Sequence, residues 1–504
     1  MPAVAAFRRL ATALVLLATL TLGGCASHTI FNPVTERTEV STLTEAQLAE
    51  QAAEAREALI DEHGLYQHAP IQAYVTEIGL KVARLSHRPE LPWSFTILDT
   101  DISNAFALPG GMVFVTRGML GHLQNEAELA AVLGHEIAHV TARHGAHRAN
   151  EAAFANLGVA AAINVGQFLE RTGLRGAARR MKRLGLSLAA GMIATYNRDQ
   201  ELEADRIGAD YLARAGYDAR EMVGVLQMLQ MIERFHADRA RENQRDAPGS
   251  DWLSSHPGTD QRLREAARFT AVARHVSNDG RQRFLQRMDG LVWGDSAEKG
   301  LVRDRLFVHP RAGYAITAPP DWEVDVEGSA VALHTPQGDA TLTVRLLPKL
   351  AGRTHAQVIE NLLAPTEGRS AARRVGAFVG THFVGSRLRG DVRLPLRSTI
   401  VTGPGQRLYL IDYTARDDEA LQRAMAVMQT AEQSFRAITA ADRRAAREWR
   451  LGSAPMPVGG FAALAKASPL LEDAEATIRL INGVYGITSP DAEPAVGAIV
   501  KTVR

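Results

Sequence analysis

Residues 126–147 read EAELAAVLGHEIAHVTARHGAH, and this stretch decides the fold that the sequence predicts. It is rich in good helix formers, and its acidic start and basic end suit the helix dipole. His135 and His139 are four residues apart, so both lie on one face of the predicted helix and can bind one cation. Because zinc prefers imidazole nitrogen and Glu136 adjoins the first histidine, the pattern predicts a zinc site at which Glu136 takes a proton from the attacking water.

The predicted site needs a third protein ligand, and the segment Glu201-Leu-Glu-Ala-Asp205 offers one on another predicted helix. Glu201 can bind zinc, and Asp205, one turn later, can accept the free N–H of a ligand histidine and fix its tautomer. The alternative interpretation is a solvated helix face beside two arginines. Both motifs together predict one Zn²⁺ per chain, held by His135, His139 and Glu201.

Four motifs follow one another in an order that is typical of one enzyme family. They are Asn104-Ala-Phe-Ala-Leu-Pro-Gly-Gly111, the zinc helix through His144, Arg198 to Asp205, and Ser254-Ser-His-Pro257 with Arg262 shortly after it. Over roughly residues 45–275 the sequence resembles the gluzincin metalloproteases that include HtpX and the CAAX prenyl proteases. It is most similar to the family's periplasmic lipoprotein and soluble members.

The resemblance implies further site residues. A substrate would bind in extended form, by strand addition, along Gly111, Met112, Val113, Phe114 and Val115. Arg262 would hold the substrate carbonyl or the developing oxyanion, and His256 would donate likewise or occupy zinc's open position and keep the enzyme latent. The alternative for His256 is a cap on the following helix. The sequence lacks clear transmembrane spans, so an intramembrane segment or a prenylated tail is not expected as the substrate. It also lacks helical repeats, so a substrate role that depends on such repeats is not carried over.

The N-terminus predicts export and a lipid anchor. Two arginines, an apolar run over residues 10–22 and Gly23-Gly24-Cys25 are typical of a secretory signal that ends in a bacterial lipobox. Cys25 is the single cysteine, so no disulfide can form within the chain. We expect a signal peptide at 1–24, lipid on Cys25, a tether over 25–43 and a periplasmic, outer-membrane location. The alternative is an ordinary cleaved signal that leaves a free thiol.

The rest of the chain predicts three folded units. Residues 44–290 are expected to form a mainly α zincin-type catalytic domain with a small edge-strand sheet. Its apolar stretch 151–195 is expected to form two core-facing helices, with membrane insertion as the alternative. Residues 300–440 show short alternating strands followed by a helix, which indicates an α+β domain of unknown role. Residues 445–504 predict a βααβ module that resembles LysM but lacks its Gly-Asp-Thr. Contact of this tail with peptidoglycan is therefore one of two alternatives, beside a purely structural role.

The sequence thus predicts a zinc metalloendopeptidase that cleaves misfolded or misassembled cell-envelope proteins. Two alternatives stay open: a latent protease that acts mainly as an assembly chaperone or scaffold, and a cell-wall-binding adaptor. The net charge of +1 gives no reason to expect a nucleic-acid partner.

Overall fold

The computed structural model describes residues 28–41, 43–148, 196–242, 256–272, 275–276, 279–327, 330–389, 392–470, 473–487 and 493–504. The predicted signal peptide, Cys25 and the predicted helices of 151–195 lie outside these residues. Part of the predicted tether is described, and its two strands pair as an antiparallel β-hairpin. The hairpin packs on the catalytic domain through Asn32, whose amide nitrogen donates to the carbonyl of Ala142 at 3.2 Å.

The first unit is mainly helical. Its strands are β1 (His28–Asn32), β2 (Arg37–Ser41), β3 (Ser94–Leu98), β4 (Ala105–Leu108), β5 (Met112–Thr116) and β6 (Val292–Trp293). Its helices are α1 (Glu45–His63), α2 (Ala69–Ala83), α3 (Arg117–His122), α4 (Glu126–Thr141), α5 (Arg198–Arg214), α6 (Glu221–Glu242), α7 (Thr259–Thr270) and α8 (Arg281–Met288). Within the described residues, every helix is too short or too polar to cross a membrane.

Helix α4 runs through the centre of this unit and is buried along its whole length. Asn125 caps its first turn by accepting from the backbone N–H of Glu128 at 2.7 Å. The sequence predicted a helix as far as residue 147, whereas α4 ends at Thr141. The chain turns because Arg143 adopts a left-handed backbone with φ of 64°, and its guanidinium pairs with Glu45 of α1.

A three-stranded sheet lies beside α4 in the order β3-β5-β4. The central strand, β5, pairs in parallel with β3 and antiparallel with β4. Both edges of β5 are therefore occupied. Within the described residues no strand pairs with the outer edge of β4, and this edge lies next to α4.

The second unit is an α+β domain around a seven-stranded antiparallel sheet of order β10-β11-β12-β16-β15-β14-β13. Its strands are β7 (Leu301–Arg303), β8 (Leu306–His309), β9 (Tyr314–Thr317), β10 (Glu323–Glu327), β11 (Ala330–His334), β12 (Ala340–Leu346), β13 (Glu367–Val375), β14 (Phe378–Arg389), β15 (Val392–Thr402), β16 (Leu408–Ala415) and β17 (Arg436–Ala437). Its helices are α9 (His355–Val358), α10 (Asp418–Gln433) and α11 (Ala440–Ala445). Helix α10 packs on one face of the sheet, and α9 with the following π-helical turn packs on the other.

The C-terminal tail has the element order β18 (Trp449–Pro455), α12 (Gly460–Ala467), α13 (Ala474–Ile481) and β19 (Ile499–Val503). It does not stand apart from the catalytic unit, because β18 pairs with both β19 and β6. Leu451, Ile481 and Val503 belong to the same hydrophobic core as α4. The buried Nζ of Lys501 donates to the carbonyls of Gly121 and Leu123, both at 2.8 Å, at the end of α3.

Candidate metal centre

Four side chains bring one ligand atom each into a small buried cluster. The donor atoms of His135, His139, Glu201 and His256 all lie within 4.8 Å of one another. The Nε2 atoms of His135 and His139 are 3.0 Å apart, and the Nδ1 of His256 lies 2.9 Å from a Glu201 oxygen. The structure therefore brings the three predicted ligands together and adds His256, which the resemblance gave as a possible fourth.

Close packing of α4 against α5 makes this convergence possible. Gly134 and Gly208 face each other where the helices meet. A Cβ on Gly134 would come within 2.8 Å of Leu212, and one on Gly208 within 3.1 Å of the His135 nitrogen. Bare backbone at both positions allows the close approach that places Glu201 beside the two histidines.

Asp205 stands behind His135 as the sequence predicted. One of its oxygens lies 2.9 Å from the Nδ1 of His135, so the ring can donate there and turn Nε2 toward the other donors. Although burial raises the pKa of Asp205, the adjacent Arg262 guanidinium keeps it below its usual value. Asp205 is therefore charged and acts as the acceptor.

Arg262 does not have the role that the resemblance implied, and this prediction is corrected. Its side chain is 1% exposed, and it donates to both oxygens of Asp205 at 2.8 and 2.7 Å. A third nitrogen lies 2.7 Å from Glu201 and 3.3 Å from the carbonyl of His256. Because its donors are engaged behind the metal ligands, Arg262 positions Glu201, Asp205 and the His256 backbone, and does not face a substrate.

A series of contacts behind the ligand His139 was not predicted from the sequence. The Nδ1 of His139 lies 2.8 Å from the Nδ1 of His144, and the Nε2 of His144 lies 3.1 Å from a Glu203 oxygen. Burial lowers the pKa of His144, and its hydrogen bond lowers the pKa of Glu203, so the pair is a neutral imidazole donating to a carboxylate. His144 then accepts from His139 and fixes its tautomer, as Asp205 does for His135.

Tyr196 was also missed. Its ring stacks on His139 with centroids 3.6 Å apart and an interplanar angle of 13°. The guanidinium of Arg148 lies over the Tyr196 ring, 3.6 Å from the ring centroid. Tyr196 precedes the cap of α5, where no helical periodicity indicates which way a side chain points, and a lone aromatic residue carried no signal.

Glu136 differs from the other carboxylates in the cluster. It is fully buried, and neither carboxylate oxygen has a hydrogen-bond partner among the described residues. Within the cluster, the Nε2 of His256 lies 3.7 Å from a Glu136 oxygen. Burial raises the pKa of Glu136, which is the direction that brings a carboxylate toward use as a general base near neutral pH.

The predicted substrate strand is wrong in position. Residues 111–115 overlap β5, which has strands on both sides and cannot accept another. The available edge belongs to β4, where Ala107, Leu108 and Pro109 line a cavity with His139 and Tyr196. In the antiparallel ladder the N–H of Thr116 donates to the Asn104 carbonyl at 2.9 Å. By alternation, the backbone groups of Ala105 and Ala107 point away from β5, toward the open edge.

The donor set fits a tetrahedral divalent metal. Ligands at about 2.0–2.1 Å from a zinc ion would lie about 3.3 Å from one another. Four of the six separations among these donor atoms are 2.9 to 3.4 Å, and all six are within 4.8 Å. Three imidazoles and a carboxylate are also the donor types that zinc prefers.

Comparison with known proteins gives the same assignment. Residues 70–270 match the model of Peptidase family M48. The beta-barrel assembly-enhancing protease of Yersinia pestis is 30% identical over 252 residues, which cover 46% of this chain and 48% of that protein. A putative beta-barrel assembly-enhancing protease of Vibrio cholerae is 32% identical, with 39% of each chain covered. Mitochondrial metalloendopeptidase OMA1 of Arabidopsis thaliana is 34% identical over 38% of this chain and 34% of that protein.

This chain spans about half the length, or less, of these relatives. Among solved structures, LpqN of Mycobacterium tuberculosis is 14% identical with a TM-score of 0.20, covering 25% of this chain and 83% of that one, which is too low to assign a fold. Both the matched span and the relatives' names agree with the donor cluster on α4 and α5. Over residues 70–270 this chain is therefore similar to peptidase family M48, whose relatives include metalloendopeptidases.

Proposed function

We propose that the chain is a zinc metalloendopeptidase in which His135, His139 and Glu201 hold one Zn²⁺. The observation that carries the proposal is the carboxylate of Glu136. It is buried against the donor cluster without a hydrogen-bond partner among the described residues. A buried carboxylate without a hydrogen-bond partner lowers stability. Its retention is explained if it accepts a proton during turnover.

Zinc, when bound, supplies a Lewis acid that polarises a peptide carbonyl and lowers the pKa of water. The chain's own residues supply the proton transfers. Glu136 accepts the proton of the attacking water and passes it to the leaving amine. Asp205 and His144 hold the two ligand imidazoles in the required tautomer.

The substrate is proposed to bind as an extended strand along β4. The backbone N–H and C=O of Ala105 and Ala107 offer the hydrogen bonds, and the cavity beside His139 receives one side chain. A backbone-directed site of this kind accepts unfolded segments of varied sequence. This suits misfolded or misassembled envelope proteins, and the names of the bacterial relatives refer to beta-barrel assembly.

His256 is proposed to keep the enzyme latent. A catalytic zinc site leaves one position for water, whereas four protein donors close the site. With His256 in the fourth position, activity requires that its imidazole move away. The second candidate function is an assembly chaperone or scaffold. The cluster of four protein donors favours it, because an enzyme whose zinc site is closed does not cleave its clients.

Two variants test the proposal. Glu136→Gln should bind zinc with wild-type stoichiometry and fold normally, yet lose cleavage of an unfolded substrate such as casein by at least about 100-fold. His256→Ala should raise cleavage above that of the wild type while retaining zinc. If Glu136→Gln cleaves at the wild-type rate, the catalytic assignment is wrong. If it fully complements a deletion strain, the chaperone is the physiological function.

We further propose that lipid on Cys25 holds the enzyme in the periplasm, at the outer membrane. The support is the sequence pattern alone, because Cys25 lies outside the described residues. Labelling cells with a fatty-acid analogue should mark the wild type and not Cys25→Ser. Equal labelling of both proteins would refute the anchor.

A further inference from the structure

A three-stranded arm extends from the seven-stranded sheet of the second unit. We define it as residues 367–372 of β13, 381–389 of β14 and 392–397 of β15. Strand β15 pairs with β16 only from Ser398 onward, whereas its pairing with β14 continues to Val392. Six residues of β15 therefore extend past the neighbouring strand, which corresponds to about 20 Å. Along β13, residues 367–372 are exposed on both faces.

The arm is strongly basic. Its residues include five arginines, no lysine and one acidic residue, Glu367. Arg369, Val384 and Arg397 lie directly opposite one another across three strands, so both guanidinium groups are on one face. Arg393 lies on the same face, opposite Leu388.

Few carboxylates neutralise this face. Arg393 pairs with Glu367 at 2.5 Å, and among the described residues Arg369 and Arg397 form no ion pair. Farther in, the imidazole of His382 has its pKa lowered to about 4 by burial and by the nearby Arg373 and Arg397. Arg369, Arg393 and Arg397 therefore place positive charge on this face, where it is available to an anionic partner, and Arg387 lies on the other face, opposite Leu394.

The end of the arm also exposes apolar side chains. Leu388 is 53% exposed and Val392 is 51% exposed, and they lie on opposite faces of the β14–β15 pair. Arg387 and Arg393 are the immediate neighbours of these two residues in sequence. This arrangement matches a membrane interface, where guanidinium groups can bind the lipid phosphates and apolar side chains can enter the acyl boundary beneath them.

We propose that this arm docks on an anionic phospholipid surface. Leu388 and Val392 enter the headgroup region, and Arg369, Arg393 and Arg397 bind lipid phosphates. Arginine suits this role because its planar guanidinium can bind a phosphate through two hydrogen bonds. Docking by the arm is independent of the protease chemistry and of lipid on Cys25, and it would hold the second unit against the membrane.

The experiment measures binding to vesicles in a parent chain that carries Cys25→Ser, so that no acyl chain attaches. The parent should sediment with vesicles of phosphatidylcholine and phosphatidylglycerol, and weakly with phosphatidylcholine alone. Each arginine near an anionic surface contributes about fivefold, so Arg369→Ser/Arg393→Ser/Arg397→Ser should weaken binding about 100-fold. The matching triple lysine variant should stay within about tenfold of the parent, since it keeps the charge.

A matched control separates this face from net charge. Arg264→Ser/Arg268→Ser/Arg416→Ser removes three exposed arginines elsewhere and should bind like the parent. Leu388→Ser/Val392→Ser should keep the preference for anionic vesicles but lose about tenfold in affinity. Binding of the arm triple variant within twofold of the parent overturns the proposal, as does equal binding to neutral vesicles. Self-association of the parent without vesicle binding, abolished in the triple serine variant, also overturns it and assigns the face to a second copy.

Discussion

Replacing Arg262 with methionine tests whether this side chain positions the metal ligands or contacts the substrate. Methionine keeps most of the buried volume and removes all of the donors. Asp205 and Glu201 then remain buried without the cation that faces both of them. Removing one partner of a buried ion pair costs about 3–5 kcal/mol, because the remaining charge loses its compensation.

We therefore expect Arg262→Met to lower the free energy of unfolding of the catalytic unit by about 3–5 kcal/mol. Zinc affinity should fall about 10- to 100-fold, because Asp205 and Glu201 lose the group that orients them. Urea denaturation followed by tryptophan fluorescence reports the first quantity. Trp93, Trp293 and Trp449 pack against the core of this unit. Competition with a chromophoric chelator reports the second.

Arg264→Met is the matched control, since Arg264 is exposed on the same helix, two residues away. It should change the free energy of unfolding by less than about 0.5 kcal/mol. A substrate-binding arginine would behave differently, because loss of an oxyanion donor lowers kcat by about 10²–10³ while stability is kept. If Arg262→Met unfolds like the wild type, retains zinc and loses only kcat, the positioning role is refuted.

Three further predictions concern other parts of the chain. Glu203→Gln should weaken zinc binding about tenfold by removing the charged acceptor of His144, whereas Asp210→Asn on the same helix should not; equal affinities in the chelator assay would contradict this. Lys501→Met should lower the free energy of unfolding by about 3 kcal/mol, because buried carbonyls at the end of α3 lose their donor. The tail should then become sensitive to limited proteolysis, and an unchanged digestion pattern would argue against its docking on α3. Burial, together with the nearby Arg407 and Arg311, lowers the pKa of His309 to about 4 in the folded chain. Between pH about 6.5 and 4, His309 therefore binds a proton in the unfolded chain and not in the folded one. Stability of the second unit should then fall by roughly 3 kcal/mol between pH 6.5 and 4, and His309→Asn should remove most of this loss in urea titrations; an unchanged pH slope would refute it.

The metal ligands could be predicted from the sequence because their geometry is local. His135 and His139 are one helical turn apart, and so are Glu201 and Asp205, so each pair needs only a helix to share a face. The Gly134–Gly208 contact that brings the two helices together is not local. The need for a third zinc ligand supplied that step, and the resemblance to a family supplied His256.

The substrate edge was misassigned because strand pairing is not encoded by spacing along the chain. Residues 112–116 and 105–108 are both short apolar runs, and either could be the edge strand. The parallel partner β3 occupies one side of β5, and only the assembled sheet shows which strand keeps a free side. Arg262 was misassigned for the same kind of reason, because its position along α7 does not show which carboxylates face it.

The C-terminal tail was predicted as a separate unit, but the sequence pattern did not show which core its side chains join. Residues 445–504 have the element order that the sequence predicted, yet Leu451 and Val503 pack in the core of the catalytic unit. The relation to LysM and the contact with peptidoglycan stay predictions. Truncating the tail would expose the apolar surface around β6 and α3, so a loss of protease activity on truncation would not by itself indicate glycan binding.

Charge balance explains why this cluster suits a divalent cation. Three buried carboxylates, Glu136, Glu201 and Asp205, face one buried guanidinium, that of Arg262. With the ligand histidines neutral and the carboxylates ionised, the cluster carries two more negative than positive charges, which is costly in a buried site and is offset by one Zn²⁺. Arg262 contacts Glu201 and Asp205 directly and acts on Glu136 only from farther away. The imbalance therefore falls on Glu136, the carboxylate whose pKa burial raises and the one assigned to carry the proton.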